Sequence, residues 1–468
     1  MADKKRGGYF SLLAPVETTP TIKPNADQDR ISHLPDDILL AILDGLNVRD
    51  AARTSLLSRR WRPLPAMISH LKIDISDFDP KGMSRFSDDE LGRTNAAVVE
   101  ATKSILACRK SNENTIYRLS MRFYLRDDDC ISIGHTVGHT MGTQKVEMIE
   151  FTVLTEKGRK QRILHDDLVT YGRRFELFFS SCPNTFRGLT GLQLENLRFG
   201  ELEISDVLNT CNRLKYLHLF NCNSGISTFL EVEHLQLSEL SIVSCRFERI
   251  KLSSLPKLTR IIFGGWLAFQ DPLSFGHVPL LESVVLTNVG LSWHKVVKLS
   301  NFLSNAPIRD LTLDFNSEKI WVQPEGPKAL ASAFHKLRVV NLVDLPEGYD
   351  PSWTLFILEA APSLRELYMA VRDHLCEMET NTERRKAISY SENKNVDWNA
   401  SATDFKNHSL STMVCDKCRG KNPRPVRYPS TKKQRFALRN RISLGTHSLA
   451  LIHFPSVLKA DHRARLSY

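Results

Sequence analysis

No stretch of the chain stays apolar for the 18 or more residues that a bilayer-spanning helix requires, which excludes a membrane channel. The apolar stretch nearest the N-terminus, Tyr9 to Val16, is interrupted by Ser11 and Pro15, too short and broken for a secretory leader. Cysteine is sparse, nine in 468 residues and an odd number, so a reduced intracellular protein is expected. Catalytic signatures are missing as well. There is no G-x-G-x-x-G, G-x-x-x-x-G-K-[ST], H-E-x-x-H or G-x-S-x-G. An excess of charge is also absent from most of the chain. The net charge is +10, but residues 415–468 hold 13 Lys and Arg against 2 Asp, which leaves the other 414 residues at about −1. Nucleic-acid binding is therefore confined to the tail as a possibility. Against these absences, 42% hydrophobic and 25% charged residues are the proportions of a globular protein with a real core.

Residues 1–28, with Pro15, Pro20 and Pro24, read as a disordered leader. The character changes at Asp29. After Leu34-Pro35-Asp36-Asp37 come Ile38, Leu39, Ala41, Ile42, Leu43 and Leu46, a broad apolar stripe at helical period. Pro35 suits the first turn, and Asp36 and Asp37 complement the positive end of the helix dipole. A second helix is expected from an N-cap at Asp50 through Leu57, and a short third element, Ser58 to Arg62, stops at Pro63. Three short helices in some forty residues are too small to be stable alone, so this piece needs a partner.

Strand-like alternation begins at Leu71, Ile73 and Ile75, and a repeat then emerges on the template L-x-x-L-x-L. It runs through Leu189-Leu192-Leu194, Leu214-Leu217-Leu219, Leu237-Leu240-Ile242, Leu258-Ile261-Phe263, Leu281-Val284-Leu286, Ile308-Leu311-Leu313, Leu337-Val340-Leu342 and Leu364-Leu367-Met369. The mean spacing is 25 residues, inside the range of leucine-rich repeats. Fainter units start at Ile116 and Val146. Each unit supplies one parallel strand and buries its apolar face only against neighbours, so the units stack into a curved solenoid. Val207-Leu208 and Phe302-Leu303 fall where convex-side helices belong. Cys222, Cys245 and Asn316 occupy the template's Asn/Cys position, where a buried thiol acts as a small hydrophobe.

Metal sites find little support. His135 and His139 are four apart, but Thr136 and Gly138 argue against a helix that would align them. Cys415-x-x-Cys418 is half of a zinc site. Its candidate second half, His447 and His453, lies farther off than the finger template allows, and two free thiols in a basic tail are the competing reading. No cofactor is expected. The run from Lys432 to Arg441 reads as a solvated cationic helix, with a nuclear-import or nucleic-acid patch as the alternative.

Residues Asp29-Arg30-Ile31-Ser32, Leu34-Pro35-Asp36, Ile38-Leu39, Ile42-Leu43 and Thr54 to Arg62, with Ser58-Arg59-Arg60-Trp61-Arg62, resemble a plant-type F-box. With the repeats behind it, the chain resembles the plant F-box/leucine-rich-repeat family, including its FBD-like members. The resemblance implies an α/β fold: a short three-helix F-box, then a curved leucine-rich-repeat solenoid with a parallel sheet on its concave face. The expected divisions are a 1–28 leader, a 29–68 F-box, repeats over 69–370, and a 371–468 FBD-like cap with basic tail. The cap looks shortened, because Asn407 to Leu410 runs almost directly into Cys415 where family members carry a further strand and helix. The pattern Trp-Arg-x-Leu-Trp is also broken here by Arg62-Pro63-Leu64-Pro65.

The implied activity is non-catalytic: the substrate-recognition subunit of a cullin–RING (SCF-type) ubiquitin ligase, cytoplasmic or nuclear, with no membrane partner. Its partners would be a Skp-type adaptor and an unknown protein target. Adaptor contacts are expected from Leu34, Pro35, Ile38, Leu39, Ile42, Leu43, Leu56 and Trp61, with Trp61 and Leu34 as anchors. The competing reading places Ile42 with Leu46 inside the helical core. Target contacts are expected from strand positions facing the concave side: Tyr216, His218, Phe220, Arg260, Asp310, Asp314 and Tyr368. A repeat scaffold without a ligase link is the alternative from another class.

Overall fold

The leucines of the repeat template decide the register of the larger part of the molecule. In the structure, a computed structural model, all template residues of the eight units from Leu189 to Met369 are 2% exposed or less. Residues 31, 33–79, 88–109, 115–158, 161–200, 202–225, 229–264, 273–287, 297–303, 306, 308–316, 320–346, 351–372 and 407–418 are described. They form two compact units, one ending at Ile68 and one beginning at Ser69.

The first unit holds helices α1 (Asp36–Asp44) and α2 (Val48–Arg53), then short 3-10 turns at Thr54–Leu56 and Leu64–Met67. Pro35 is the N-cap of α1, and Asp36 and Asp37 occupy its first turn. The second helix starts earlier than Asp50. Asn47 caps it, its side-chain oxygen accepting from the Asp50 amide at 2.8 Å. Ser58 to Pro63 forms turns rather than a third α-helix.

The second unit is built on fifteen parallel strands among the described residues. They are β1 (His70–Asp74), β2 (Ile116–Tyr124), β3 (Val146–Leu154), β4 (Gly191–Glu195), β5 (Tyr216–Phe220), β6 (Phe229–Glu233), β7 (Glu239–Val243), β8 (Arg249–Ser254), β9 (Arg260–Gly264), β10 (Leu273–His277), β11 (Ser283–Thr287), β12 (Asp310–Asp314), β13 (Val339–Pro346), β14 (Glu366–Arg372) and β15 (Thr412–Cys418). Twelve of them make one sheet, ordered β1-β2-β3-β4-β5-β7-β9-β11-β12-β13-β14-β15, each pairing with the strand of the next repeat. Every predicted repeat strand is there. A further strand is there too: β15 pairs in register with β14, Glu366 opposite Thr412, so the sheet runs past residue 370 and takes in the Cys415 segment.

The connections on the opposite side differ along the solenoid. The early units use α3 (Asp88–Ala107), α4 (Asp127–Thr143), α5 (His165–Ser181), α6 (Pro183–Gly188) and α7 (Ile204–Thr210); the late ones use α8 (Leu299–Leu303), α9 (Pro327–Phe334) and α10 (Leu355–Ala360). Helices thus cover Val207-Leu208 and Phe302-Leu303, as their spacing predicts. Between them, three consecutive repeats turn through strands instead, and β10-β8-β6 form a second parallel sheet. The alternating segments Phe229-Leu-Glu-Val-Glu and Arg249-Ile-Lys-Leu carry period-two patterning, with Leu230, Val232, Ile250 and Leu252 inward, which suits a strand and not a helix.

Filling differs accordingly. Under the helical early units, Phe123, Phe151, Phe178 and Phe186 form a ring cluster with centroids 5.0–6.5 Å apart. Under the late ones, Phe315, Trp321, Trp353 and Phe356 do the same, and both indoles donate to backbone carbonyls, of Asp314 and Val322, at 3.1 Å. His135 and His139 do share a helix, α4. Gly138 there is a packing residue: a Cβ on it would lie 2.7 Å from the Thr185 hydroxyl of α6. The ring of His135 bonds the Ser181 carbonyl at 3.0 Å, and the described residues hold no cluster of three metal-ligating groups.

At the strand ends the template cysteines form a ladder. The Cys222 and Cys245 thiols donate to the carbonyls of Phe220 and Val243, and the Cys222 amide meets the Cys245 sulfur at 3.4 Å. Burial pushes the Cys245 thiol well above its ordinary value, so it stays protonated and inert. Asn316 stands outside this ladder. Its backbone is left-handed, φ 50°, and its amide donates to the Asp314 carboxylate in a local turn. Asn221 and Asn196 form the equivalent polar ladder nearby, side chain to side chain at 2.7 Å.

Candidate interaction surfaces

In the first unit α1 is apolar on two sides, and only one of them is used. Leu39 and Leu43 are 0% and 1% exposed and Trp61 4%, so all three are core. Buried in the unit's own core, they are not available as adaptor contacts, and Trp61 does not serve as an anchor. The outer stripe is the reverse of the competing reading: Ile38, Ile42 and Leu46 are 45%, 40% and 42% exposed. Ile38 and Ile42 are four apart and line one side of α1, and Leu46 follows two residues past its end. Leu56 and Leu57, in and just after the 3-10 turn, are 85% and 68% exposed. Leu34 is half-buried and Pro35 exposed. Their corner is held by Arg60, whose guanidinium donates to the Leu34 carbonyl at 2.6 Å and pairs with Asp36 at 2.9 Å. Ile31, Leu46 and Leu57, not among the expected adaptor contacts, are exposed here too. Their apolar character alone cannot distinguish core from surface.

On the sheet, the residues between template positions line up in rows across the strands. One row runs Lys72, Ser120, Glu150, Gly191, Tyr216, Glu239, Arg260, Ser283, Asp310, Val339, Glu366. Two residues on, the next includes Gln193, His218, Ser241, Ile262, Val285, Thr312, Asn341 and Tyr368. Tyr216 is exposed, and His218, Phe220, Arg260, Asp310 and Tyr368 are half-buried. The fold therefore brings six of the seven target candidates to one face. Asp314 is different. It is buried, and its carboxylate accepts from the Asn316 amide at 2.9 Å, so it builds a turn rather than a contact. Ile262 and Val285 are buried in the middle of their row, which divides the polar face into two flanks.

Polar side chains on this face contact one another within and across strands. His218 lies 3.5 Å from Glu239. Burial drives the imidazole below its ordinary pKa, and Arg260 adds to this against the pull of Glu239 and Glu150, so it is neutral at pH 7. Asp310 is raised, chiefly by burial, with Glu282 and Glu366 opposing the attraction of Arg309 and Arg260. The Tyr368 hydroxyl donates to Glu366 at 2.7 Å, and Arg118 grips Glu150 at 2.6 Å. Burial alone would raise Asp74, but bonds from the Ser76 amide and hydroxyl, with Arg122 and Lys72, bring it below its ordinary value. Glu150, Glu239 and Glu366 belong with the candidates; the repeat register contains the signal that would have found them.

Of the zinc-site candidates, Cys415 lies half-buried on β15, while His447, His453 and the Lys432–Arg441 run lie outside the described residues. No helix among the described residues is long and apolar enough to cross a membrane.

Residues 31–65 match the F-box domain model, and residues 178–398 match the model described as At1g61320/AtMIF1, LRR domain. The chain is 45% identical over 353 residues to the putative FBD-associated F-box protein At5g56820 of Arabidopsis thaliana, covering 72% of this chain and 71% of that protein. The chain belongs to the plant F-box/leucine-rich-repeat family. Two more Arabidopsis thaliana relatives are similar to it. The F-box/LRR-repeat protein At3g58980 is 27% identical over 72% of this chain and 59% of its own length, and the F-box/FBD/LRR-repeat protein At2g04230 is 29% identical over 47% and 49%. The chain thus spans about half the length of several relatives. Within the family frame, the first unit is the F-box, and the long sheet carries the leucine-rich repeats.

Proposed function

We propose that this F-box/LRR chain is the substrate-recognition subunit of a cullin–RING (SCF-type) ubiquitin ligase, acting in the cytoplasm or nucleus. The observation that carries this reading is the outward pair Ile38 and Ile42 on α1, with Leu46 exposed just past its C-cap and Leu56 and Leu57 exposed beside the 3-10 turn. A unit this small that leaves such residues in water is stabilised by a complementary apolar groove, and the groove proposed is that of a Skp-type adaptor. Leu34, Pro35, Ile38, Ile42 and Leu56 are the adaptor contacts, joined by Leu46 and Leu57. Leu39, Leu43 and Trp61 hold the unit's shape.

The repeat face then holds a protein target through Tyr216, His218, Phe220, Arg260, Asp310 and Tyr368. The chain does no bond chemistry. It raises the effective concentration of the target's lysines at a ubiquitin-charged enzyme. The test is recovery of a purified Skp-type adaptor on the full chain. Wild type is expected to retain it, and Ile38→Asp with Ile42→Asp to lose it while Arg173→Gln, an exposed position on α5, does not. No recovery by the wild-type chain would leave a repeat scaffold without a ligase link.

A further inference from the structure

Where the repeats enter their sheet, the residue just before each strand forms a ladder of its own, and in three consecutive late repeats it is arginine. Arg309, Arg338 and Arg365 precede β12, β13 and β14, and their backbones are tied rung to rung: the Arg338 amide donates to the Arg309 carbonyl and the Arg365 amide to the Arg338 carbonyl, each at 2.8 Å. Adjacent rungs in a parallel sheet are about 4.8 Å apart, so three guanidiniums start within roughly 10 Å of one another. All three side chains are exposed, as is Lys336, and none of these four cations makes a salt bridge among the described residues. They line an open cleft of about 470 Å³. Glu282 is its one lining acid, at the end of the ladder, while Ser363 and Ser409 add small polar groups. Four lining cations against one lining carboxylate leave the cleft itself positive, with Asp310 the neighbouring acid that attracts Arg309, in a chain whose charge, tail aside, is near neutral.

The geometry points to a binding site for a phosphomonoester dianion, held by the guanidinium forks of Arg309, Arg338 and Arg365. Planar forks match the terminal oxygens of a phosphate two bonds at a time, which a lone ammonium cannot do. The row spans only three rungs within one cleft, and no Phe, Tyr or Trp lines it to stack a base. A compact dianion therefore fits better than a nucleic-acid strand. Glu282 repels further negative charge at the β11 side, which limits how far an anionic ligand extends that way. The site uses neither the F-box nor the concave rows, so it stands whether or not the chain works in a ligase.

The test uses the full chain and two probes: a fluorescein-labelled peptide with one phosphoserine between neutral residues, and inorganic phosphate as competitor. The phosphorylated peptide should bind at least about tenfold more tightly than its unphosphorylated twin. Arg338→Gln, the middle rung, should weaken it by about tenfold, and Arg338→Lys, which keeps the charge and loses the fork, should recover only part of that. Arg173→Gln should have no effect. Displacement by inorganic phosphate at low millimolar concentration would assign the site to the free anion; resistance to displacement would assign it to a phosphorylated side chain. Equal binding of the two peptides would overturn the proposal. So would unchanged binding by the Arg309→Gln, Arg338→Gln, Arg365→Gln variant, provided it melts as wild type does.

Discussion

The F-box and the repeats use the same apolar residue types to opposite ends. In the repeats, every template Leu, Ile, Val, Phe or Met is shut from water, because each strand meets a neighbour on both edges and a convex layer beneath. In the F-box, α1 buries Leu39 and Leu43 but leaves Ile38 and Ile42 outside, and Leu46 just past its end is exposed as well. A long solenoid supplies its own partner at every rung, whereas a unit of two short helices has surface to spare. Hydrophobicity that serves folding in one region is left available for association in the other.

The largest break in this comparison should come from the repeat core. Leu240→Ala, at a position 0% exposed, is expected to cost about 2–5 kcal/mol, measured by chemical denaturation of the full chain. A loss under 1 kcal/mol would mean the repeats are not cooperatively packed. Next comes a backbone contact. A Cβ on Gly172 of α5 would sit 1.8 Å from the Arg198 carbonyl oxygen, so Gly172→Ala should cost about 1–3 kcal/mol and lower the melting temperature. Ile42→Ala on the outer stripe sharpens the contrast. It should change stability by no more than about 0.5 kcal/mol while weakening adaptor recovery. Stability loss comparable to that of Leu43→Ala, read by hydrogen exchange across residues 36–53, would return Ile42 to the core.

The smallest expected effect is a pH dependence confined to the repeats. The buried His234 ring bonds the Cys211 carbonyl through Nε2 at 3.0 Å and accepts from the Gln236 amide through Nδ1 at 3.1 Å. Burial lowers its pKa against the opposing pull of the Cys211 bond. A histidine depressed in the folded state takes up its proton more readily when unfolded. Its contribution is therefore complete above the unfolded value of about 6.5 and is lost as pH falls through the folded one. Melting temperatures of wild type should drop more steeply between pH 7.5 and 5 than those of His234→Gln. Parallel slopes would remove His234 from the explanation.

How much was readable in advance follows from what each signal measures. The L-x-x-L-x-L spacing reports burial and register together, so all eight strands from β4 to β14 in the main sheet were legible. So were the weaker ones at Ile116 and Val146. The strand-built convex side of the middle repeats is not legible in the leucine template, which fixes only the sheet strands, although Phe229 to Glu233 alternates plainly. α4 was obscured by Gly138, whose missing side chain serves the approach of α6 rather than a turn. On α1, Ile38, Leu39, Ile42 and Leu43 are chemically alike, and only a folded neighbour says which pair faces inward. Asp314 was chosen by its register, but a short loop turned its carboxylate back onto the Asn316 amide.

The amino-acid order by itself determined the fold class, the period of the solenoid and the place of the F-box, because each rests on local apolar spacing. The tertiary structure alone decided which of those apolar groups remain in water and which distant charges become neighbours. Arg309, Arg338 and Arg365 lie nearly thirty residues apart along the chain and show no clustering there. Parallel stacking of one repeat on the next places them on adjacent rungs, since strand spacing and not sequence distance sets their separation.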